Sequence, residues 1–415
     1  MAHAKYSRRT FLGALAATAT AAASVKGAAG RTTAIATGTA TDAAAGSSTS
    51  VAPFEGEHQQ GIVTPPQKHS VHCALDLQGA GIDQLEKFLR AVTDRARLLC
   101  AGGPTAVDGI AFPANDSGEL GPEPSADNLS ITVALGASVF DHRFGLAAAK
   151  PARLHAMEPF ADDSLEPEQC HGDVLLQICA DQRDTTLHAL RDILRNSRGL
   201  VSVRWRQSGY QNDPRPSGTQ RNHLGFKDGI VNPADSDYDG LVWVGDDEPD
   251  WARGGSYMVV RLISMFTEFW DRISVAEQEQ IFGRDRATGG PLSGGDESTA
   301  PDYSDDASGD VIPTDAHIRL ANPRTDETAD QLMLRRAYNY DNGVRANGTL
   351  DLGLVFVCFQ QDVERQFITV QKRLEGEPLA DYIRPYGGGY FFALPGVTSP
   401  DEYLGQDLIG ASTAS

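Results

Sequence analysis

Apolar and polar positions in the first half of the chain change between two spacings, one typical of strands and one typical of helices. Short apolar runs predict strands, and the i, i+3, i+4, i+7 spacing of Leu85, Phe88, Leu89 and Val92 predicts an amphipathic helix. In chain order the predicted elements are a strand at 70–77, a helix at 82–99, strands at 129–135 and 171–179, a helix at 185–196 and a strand at 199–207. This order indicates an antiparallel sheet with helices on one face.

The second half repeats that theme. Its predicted elements are strands at 241–244 and 256–263, a helical region at 266–282, a Gly-, Asp- and Ser-rich loop at 283–309, strands at 332–340 and 352–359, a helix at 362–374 and a strand at 389–394. We therefore predict an α+β protein of two tandem ferredoxin-like halves, like a dimeric α+β barrel. The predicted domains are residues 54–213 and 214–410, joined near a Pro- and Gly-containing stretch at 208–220.

The N-terminal fifty residues do not fit this fold. Ser7-Arg8-Arg9-Thr10-Phe11-Leu12 followed by an alanine-rich apolar run is typical of a twin-arginine signal peptide, predicted over residues 1–30. Residues 31–53 are rich in Thr, Ala, Ser and Gly and predict a flexible linker. We expect export to the periplasm or the extracellular space, with attachment to the cell surface left open. A basic cytosolic N-terminus is the alternative interpretation.

Charge and cysteine content narrow the function classes. The 415-residue chain has a net charge of −20, and removing residues 1–30 removes four basic residues and no acid, which leaves −24. This charge argues against nucleic acid as a partner. Five cysteines without a C-x-x-C motif argue against a disulfide framework, a zinc site and covalent c-type haem. Cys73, Cys179 and Cys358 lie in apolar runs and are expected to be buried, whereas pairing of Cys100 or Cys170 is left open.

The stretch Leu224–Pro233 carries the most distinctive candidate chemistry. Gly225 and Gly229 bracket a Phe-Lys-Asp core, and glycines allow a backbone to approach a flat ligand closely. Asp228 would then project over that ligand. A Gly-bounded turn with a solvated aspartate is the simpler interpretation of these residues when they are considered alone.

Two later stretches favour the functional interpretation. His317 follows the long loop and precedes Asn322-Pro323-Arg324, and Arg335 lies in the apolar run that begins at Leu332. A haem peroxidase needs a histidine to bind iron, a group that transfers a proton and a fixed positive charge. We assign His317, Asp228 and Arg335 to these roles as candidates, and Arg324 as a candidate partner for a haem propionate.

These motifs, in this order, resemble those of the dye-decolourising (DyP-type) peroxidases, and most closely their exported deferrochelatase/peroxidase subgroup. The resemblance runs from about His58 to Leu408. It implies haem b as the cofactor, Asp228 and Arg335 as catalytic residues and His317 as the iron ligand. It further implies haem contacts from Gly229, Ile230, Val231, Asn322, Pro323, Arg324 and Arg335.

Two departures from the family pattern are visible. Ile230-Val231 stands where Thr-Ala is familiar, and Ala337 stands where Gly is usual. Both changes leave the catalytic atoms in place and bear on substrate preference. Asp381, just before the last predicted strand, is the candidate for the carboxylate that orients His317, since a ligating histidine usually donates its second ring N–H.

The resulting prediction is a peroxidase that reduces hydrogen peroxide and oxidises organic donors such as dyes and phenols by single-electron steps. One alternative is a deferrochelatase, which releases iron from haem and leaves the porphyrin intact, working with an iron-uptake system. Another is an exported haem-binding protein without turnover. A homodimer is left open.

Overall fold

Nine β-strands, eight α-helices and several short 3₁₀ or π-helical turns make up the regular structure in the residues that the computed structural model describes, 51–104, 106 and 109–413. The strands are β1 His69–Leu77, β2 Ser130–Gly136, β3 Val174–Ala180, β4 Val201–Tyr210, β5 Ser256–Met265, β6 Leu334–Arg335, β7 Tyr338–Val344, β8 Leu350–Gln360 and β9 Ile383–Ala393. The helices are α1 Ile82–Ala101, α2 Arg183–Asn196, α3 Tyr238–Leu241, α4 Thr267–Trp270, α5 Val275–Phe282, α6 His317–Ala321, α7 Thr369–Leu374 and α8 Gln406–Thr413. The predicted signal peptide and most of the predicted linker lie outside the described residues.

Eight of these strands close into an antiparallel barrel. Their order is β5-β9-β2-β3-β1-β4-β7-β8, and β8 pairs back to β5, while the short β6 adds to the free edge of β8. The first half supplies β2-β3-β1-β4 and the second supplies β9-β5-β8-β7, which is the same ferredoxin-like order twice. The predicted fold class of two tandem ferredoxin-like halves is therefore confirmed.

The two halves meet along two short seams. β2 pairs with β9 through three residue pairs from Ala134 to Gly136, and β4 pairs with β7 through Tyr210 and Asn339. One sheet consequently runs through both halves. The division into domains at residues 213 and 214 stays a prediction.

The main core lies between this sheet and the helices on its outer face. Leu85, Phe88, Leu89 and Val92 of α1 are fully buried, as their spacing predicts, and they pack with alternate residues of β1 such as Val71. Burying one such side chain contributes about 1.5–3 kcal/mol. All five cysteines are buried and free, so no pairing of Cys100 or Cys170 occurs. No helix in the described part of the chain is both long and apolar enough to cross a membrane.

Several predicted elements in the second half differ from the structure. The predicted strand at 241–244 is wrong: Leu241 ends α3 and the next three residues form a buried turn. A short apolar run that is buried on all sides has no periodicity that separates a strand from another buried segment. The predicted strand at 332–340 is two strands, and the predicted helix at 362–374 begins with a π-helical turn, Glu364–Ile368.

Candidate haem site

The segment Asn222–Pro233 is held against the second half by its apolar side chains. Leu224 and Phe226 are buried, Trp270 Nε1 donates to the Leu224 carbonyl at 2.9 Å, and Phe226 stacks on Phe282 at 4.1 Å. Gly225 adopts a φ of +87°, and a Cβ there would meet the Arg286 guanidinium at 2.9 Å. With Phe226 anchored inward, Asp228 lies on the wall of a cavity.

Asp228 is paired with Arg335. The Asp228 Oδ1 and Arg335 Nη1 atoms are 3.7 Å apart, and both side chains are largely buried. Arg335 lies on β6, 107 positions away by the sequence numbering, so only the tertiary structure brings the two groups together. A carboxylate and a guanidinium at this distance can share a small polar ligand between them.

His317 is the first residue of α6 and lines the same cavity. Its Nδ1 lies 2.8 Å from Oε2 of Glu377, a buried carboxylate. Burial lowers the pKa of His317, but the Glu377 carboxylate outweighs this, so the pKa is raised above its ordinary value. A carboxylate on Nδ1 fixes the tautomer that leaves Nε2 for a metal ion. The prediction that Asp381 orients His317 is wrong, because Glu377 contacts the His317 ring and Asp381 is exposed.

The cavity holds about 1610 Å³ of atom-free space, part of it open to solvent. Every predicted site residue but one lines it: Asp228, Gly229, Ile230, Val231, His317, Asn322, Arg324 and Arg335. Pro323 lies between two lining residues without lining the cavity itself. Apolar walls come mainly from the second half, with Ile263, Leu354 and Leu379 among them. The sequence therefore predicted residues that line one cavity, but it did not predict the apolar wall residues Ile263, Leu354 and Leu379.

One corner of the cavity is cationic and was not predicted as a whole. Arg284 and Arg324 line it beside Tyr303, and neither arginine forms an ion pair with any carboxylate in the part of the chain described. Burial lowers the pKa of Arg284, and the charges of Arg324 and Arg335 lower it further. Burial also raises the pKa of Tyr303, although the nearby positive charges of Arg324 and Arg284 oppose this shift. Such a corner is complementary to an anionic group.

These residues fit haem b. Haem needs an axial donor, apolar walls for the porphyrin and cations for its two propionates. His317 supplies an Nε2 donor, the walls are apolar, and Arg284, Arg324 and the Tyr303 hydroxyl supply the polar corner. Arg284 and Tyr303 lie within the Gly-, Asp- and Ser-rich loop 283–309, where no local pattern distinguishes them from solvated residues.

The loop 283–309 is tied to the segment that carries Asp228. Glu297 forms an ion pair with the buried Lys227, and it also accepts hydrogen bonds from the Thr219 backbone (3.0 Å) and hydroxyl (3.3 Å). Arg221 donates to the carbonyl groups of Arg286 and Ala287. Through Arg284, Pro301 and Tyr303 the loop thus forms one wall of the cavity.

Comparisons with known proteins agree with this geometry. Family models described as "Dyp-type peroxidase, N-terminal" and "Dyp-type peroxidase, C-terminal" match residues 59–211 and 219–398. The chain belongs to the Dyp-type peroxidase family. It is a haem-dependent peroxidase with haem b as its cofactor and hydrogen peroxide and organic donors as substrates. The interpretation as a haem-binding protein without turnover is therefore set aside.

Individual relatives and solved structures are similar to most of this chain. A deferrochelatase of Escherichia coli strain UTI89 is 51% identical over 368 residues, which cover 86% of this chain and 87% of the relative. A DyP-type peroxidase from Cellulomonas bogoriensis has a similar structure, with a TM-score of 0.80 and 39% identity over 88% of this chain and 99% of the other. Ferric DtpA from Streptomyces lividans is also similar in structure, with a TM-score of 0.79 and 36% identity over 87% of this chain and 97% of the other.

Proposed function

We propose that Asp228 and Arg335 are the catalytic pair for peroxide reduction at a haem b whose iron is bound by His317. The observation that carries the proposal is the 3.7 Å separation of the Asp228 carboxylate and the Arg335 guanidinium in the cavity that His317 also lines. When bound, haem would supply the two electrons needed to reduce hydrogen peroxide, and an organic reductant would restore them in two single-electron donations.

Each side chain has a separate task in this proposal. The Asp228 carboxylate accepts a proton from one oxygen of hydrogen peroxide and delivers it to the other oxygen. The O–O bond then breaks, and the second oxygen departs as water. The Arg335 guanidinium stabilises the negative charge that develops on the departing oxygen. Stopped-flow measurement of the peroxide reaction in Asp228→Asn and Arg335→Leu variants tests the assignment.

Haem retention depends on other residues. Glu377 holds the Nδ1–H of His317, so that Nε2 is directed to the iron and made more basic. Arg284, Arg324 and Tyr303 would bind the propionates. Gly229, Ile230, Val231 and Asn322 would contact the porphyrin from the cavity wall.

Iron release from haem is a second candidate activity, and it is favoured by the relatives at 51% identity that are named deferrochelatases. Release requires two protons to replace the iron on the porphyrin nitrogens. We expect purified protein incubated with haem, without peroxide, to produce the fluorescence of metal-free protoporphyrin in proportion to the amount of protein. Serum albumin at the same haem concentration is the control. Persistent absence of fluorescence, with all iron still bound to porphyrin, would contradict this activity and leave peroxidation unaffected.

Export by the twin-arginine route is also proposed, since Arg8 and Arg9 precede Phe11 and Leu12 and an apolar run. In a bacterial host with that route, we expect the full-length chain to accumulate outside the cytoplasm. Replacing both Arg8 and Arg9 by Lys keeps the charge and should retain the protein in the cytoplasm, as measured by cell fractionation. Lys26→Gln, in the same segment, is the matched control and should be exported normally.

Equal export of the double-lysine variant and the original chain would contradict the proposal that Arg8 and Arg9 belong to a twin-arginine signal. The iron-uptake partner and the homodimer stay predictions.

A further inference from the structure

The side chain of Asn232 pairs with both backbone polar groups of Arg335. Asn232 Oδ1 accepts from the Arg335 backbone N–H at 2.9 Å, and Asn232 Nδ2 donates to the Arg335 carbonyl at 3.2 Å. We propose that Asn232 is a positioning residue for peroxide reduction, which holds the Arg335 guanidinium within reach of the Asp228 carboxylate. The proposal rests on the proposed roles of Asp228 and Arg335.

The position of β6 in the sheet explains why this pairing matters. β6 is a two-residue edge strand whose inner side pairs with β8, where Arg335 lies opposite Cys358. The outer side of an edge strand leaves N–H and C=O groups without a strand partner. Asn232 provides one acceptor and one donor in the spacing of a neighbouring strand, and only one orientation of its amide satisfies both contacts.

A third contact ties the functional end of Arg335 to the same segment. Arg335 Nη2 donates to the carbonyl of Val231 at 3.0 Å, while Nη1 faces Asp228. The backbone and the guanidinium of Arg335 thus both contact the segment 228–232. Since Asp228 lies on that segment, these contacts set the distance between the two catalytic groups.

Removal of the Asn232 amide should allow the distance between Asp228 and Arg335 to vary without unfolding the protein. Asn232 is exposed, so water can replace its hydrogen bonds to the backbone. β6 then keeps its pairing with β8 but loses its fixed relation to Asp228. Small misplacements of catalytic groups can lower a rate by as much as about 100-fold.

A double-mutant cycle on the haem-loaded protein tests the proposal. The variants are Asn232→Ala, Arg335→Leu and the two combined, with the rate constant for reaction with hydrogen peroxide measured by stopped flow. We expect Asn232→Ala alone to lower this rate by about 10- to 100-fold. We expect no further loss when it is added to Arg335→Leu, because Asn232 acts through that guanidinium.

Two further readouts separate positioning from a structural role. The transfer of haem to apomyoglobin and the thermal midpoint should stay near those of the original protein. Asn347→Ala is the matched control: Asn347 is likewise exposed, and its side chain accepts two hydrogen bonds from Thr349 in the β7–β8 hairpin. Its peroxide rate should not change.

An unchanged rate in Asn232→Ala, or independent effects that multiply in the double variant, would overturn the proposal. If Asn232→Ala loses haem, Asn232→Ser replaces it in the same cycle and is judged by the same non-additivity. An Arg335→Leu variant with the original rate would instead remove the proposed function of Arg335. The two failures are thereby distinguishable.

Discussion

The variant Asp228→Asn is expected to react with hydrogen peroxide about 10²–10⁴-fold more slowly than the original protein, the usual contribution of general acid–base catalysis. Asparagine keeps the shape of the side chain but cannot accept and return the proton. Haem binding should be unaffected, because Asp228 does not bind the iron in this assignment. The measurement is the rate of change in the haem absorption spectrum after mixing with peroxide.

Asp401→Asn is a suitable control for this variant. Asp401 is an exposed aspartate that does not line the cavity, and its replacement should leave the rate unchanged. Arg335→Leu should also slow the peroxide reaction, since it removes the only charge that pairs with Asp228 in the described structure. A rate for Asp228→Asn equal to that of Asp401→Asn would exclude Asp228 as the proton carrier.

The second large effect is expected on haem binding. His317→Ala should abolish the axial bond to iron. Glu377→Gln should weaken haem binding by about 10- to 100-fold, as is usual when the group that orients a metal ligand is removed. The reason is the 2.8 Å contact between Glu377 Oε2 and His317 Nδ1, which fixes the ring and its tautomer. Titration of the haem-free protein with hemin, followed by absorption, gives the affinities.

Asp381→Asn supplies a sharp comparison for Glu377→Gln. Asp381 lies four residues away, is exposed, and was the partner predicted from the sequence. Its replacement should not change hemin affinity. A loss of affinity in Asp381→Asn with none in Glu377→Gln would contradict the role assigned to Glu377.

The prediction of Asp381 in place of Glu377 shows a case in which the local sequence pattern cannot identify the partner of His317. Both Glu377 and Asp381 are acids between the last predicted helix and the last predicted strand, and nothing in their neighbours distinguishes them. The fold does so, since Glu377 is buried and Asp381 faces solvent. Arg284 and Tyr303 were missed for a similar reason. Their environment is created by distant residues such as Arg324 that meet them in the cavity.

The sequence alone determined the duplicated ferredoxin-like fold and the three groups to which we assign the chemistry. Helical and strand periodicities depend on local geometry, and the Asp228, His317 and Arg335 motifs are each continuous, so both can be read along the chain. Tertiary structure alone decided that Asp228 and Arg335 lie 3.7 Å apart, that Glu377 orients His317 and that Asn232 borders β6. These contacts join residues 60 to 107 positions apart, and they form only when the fold brings those distant segments together.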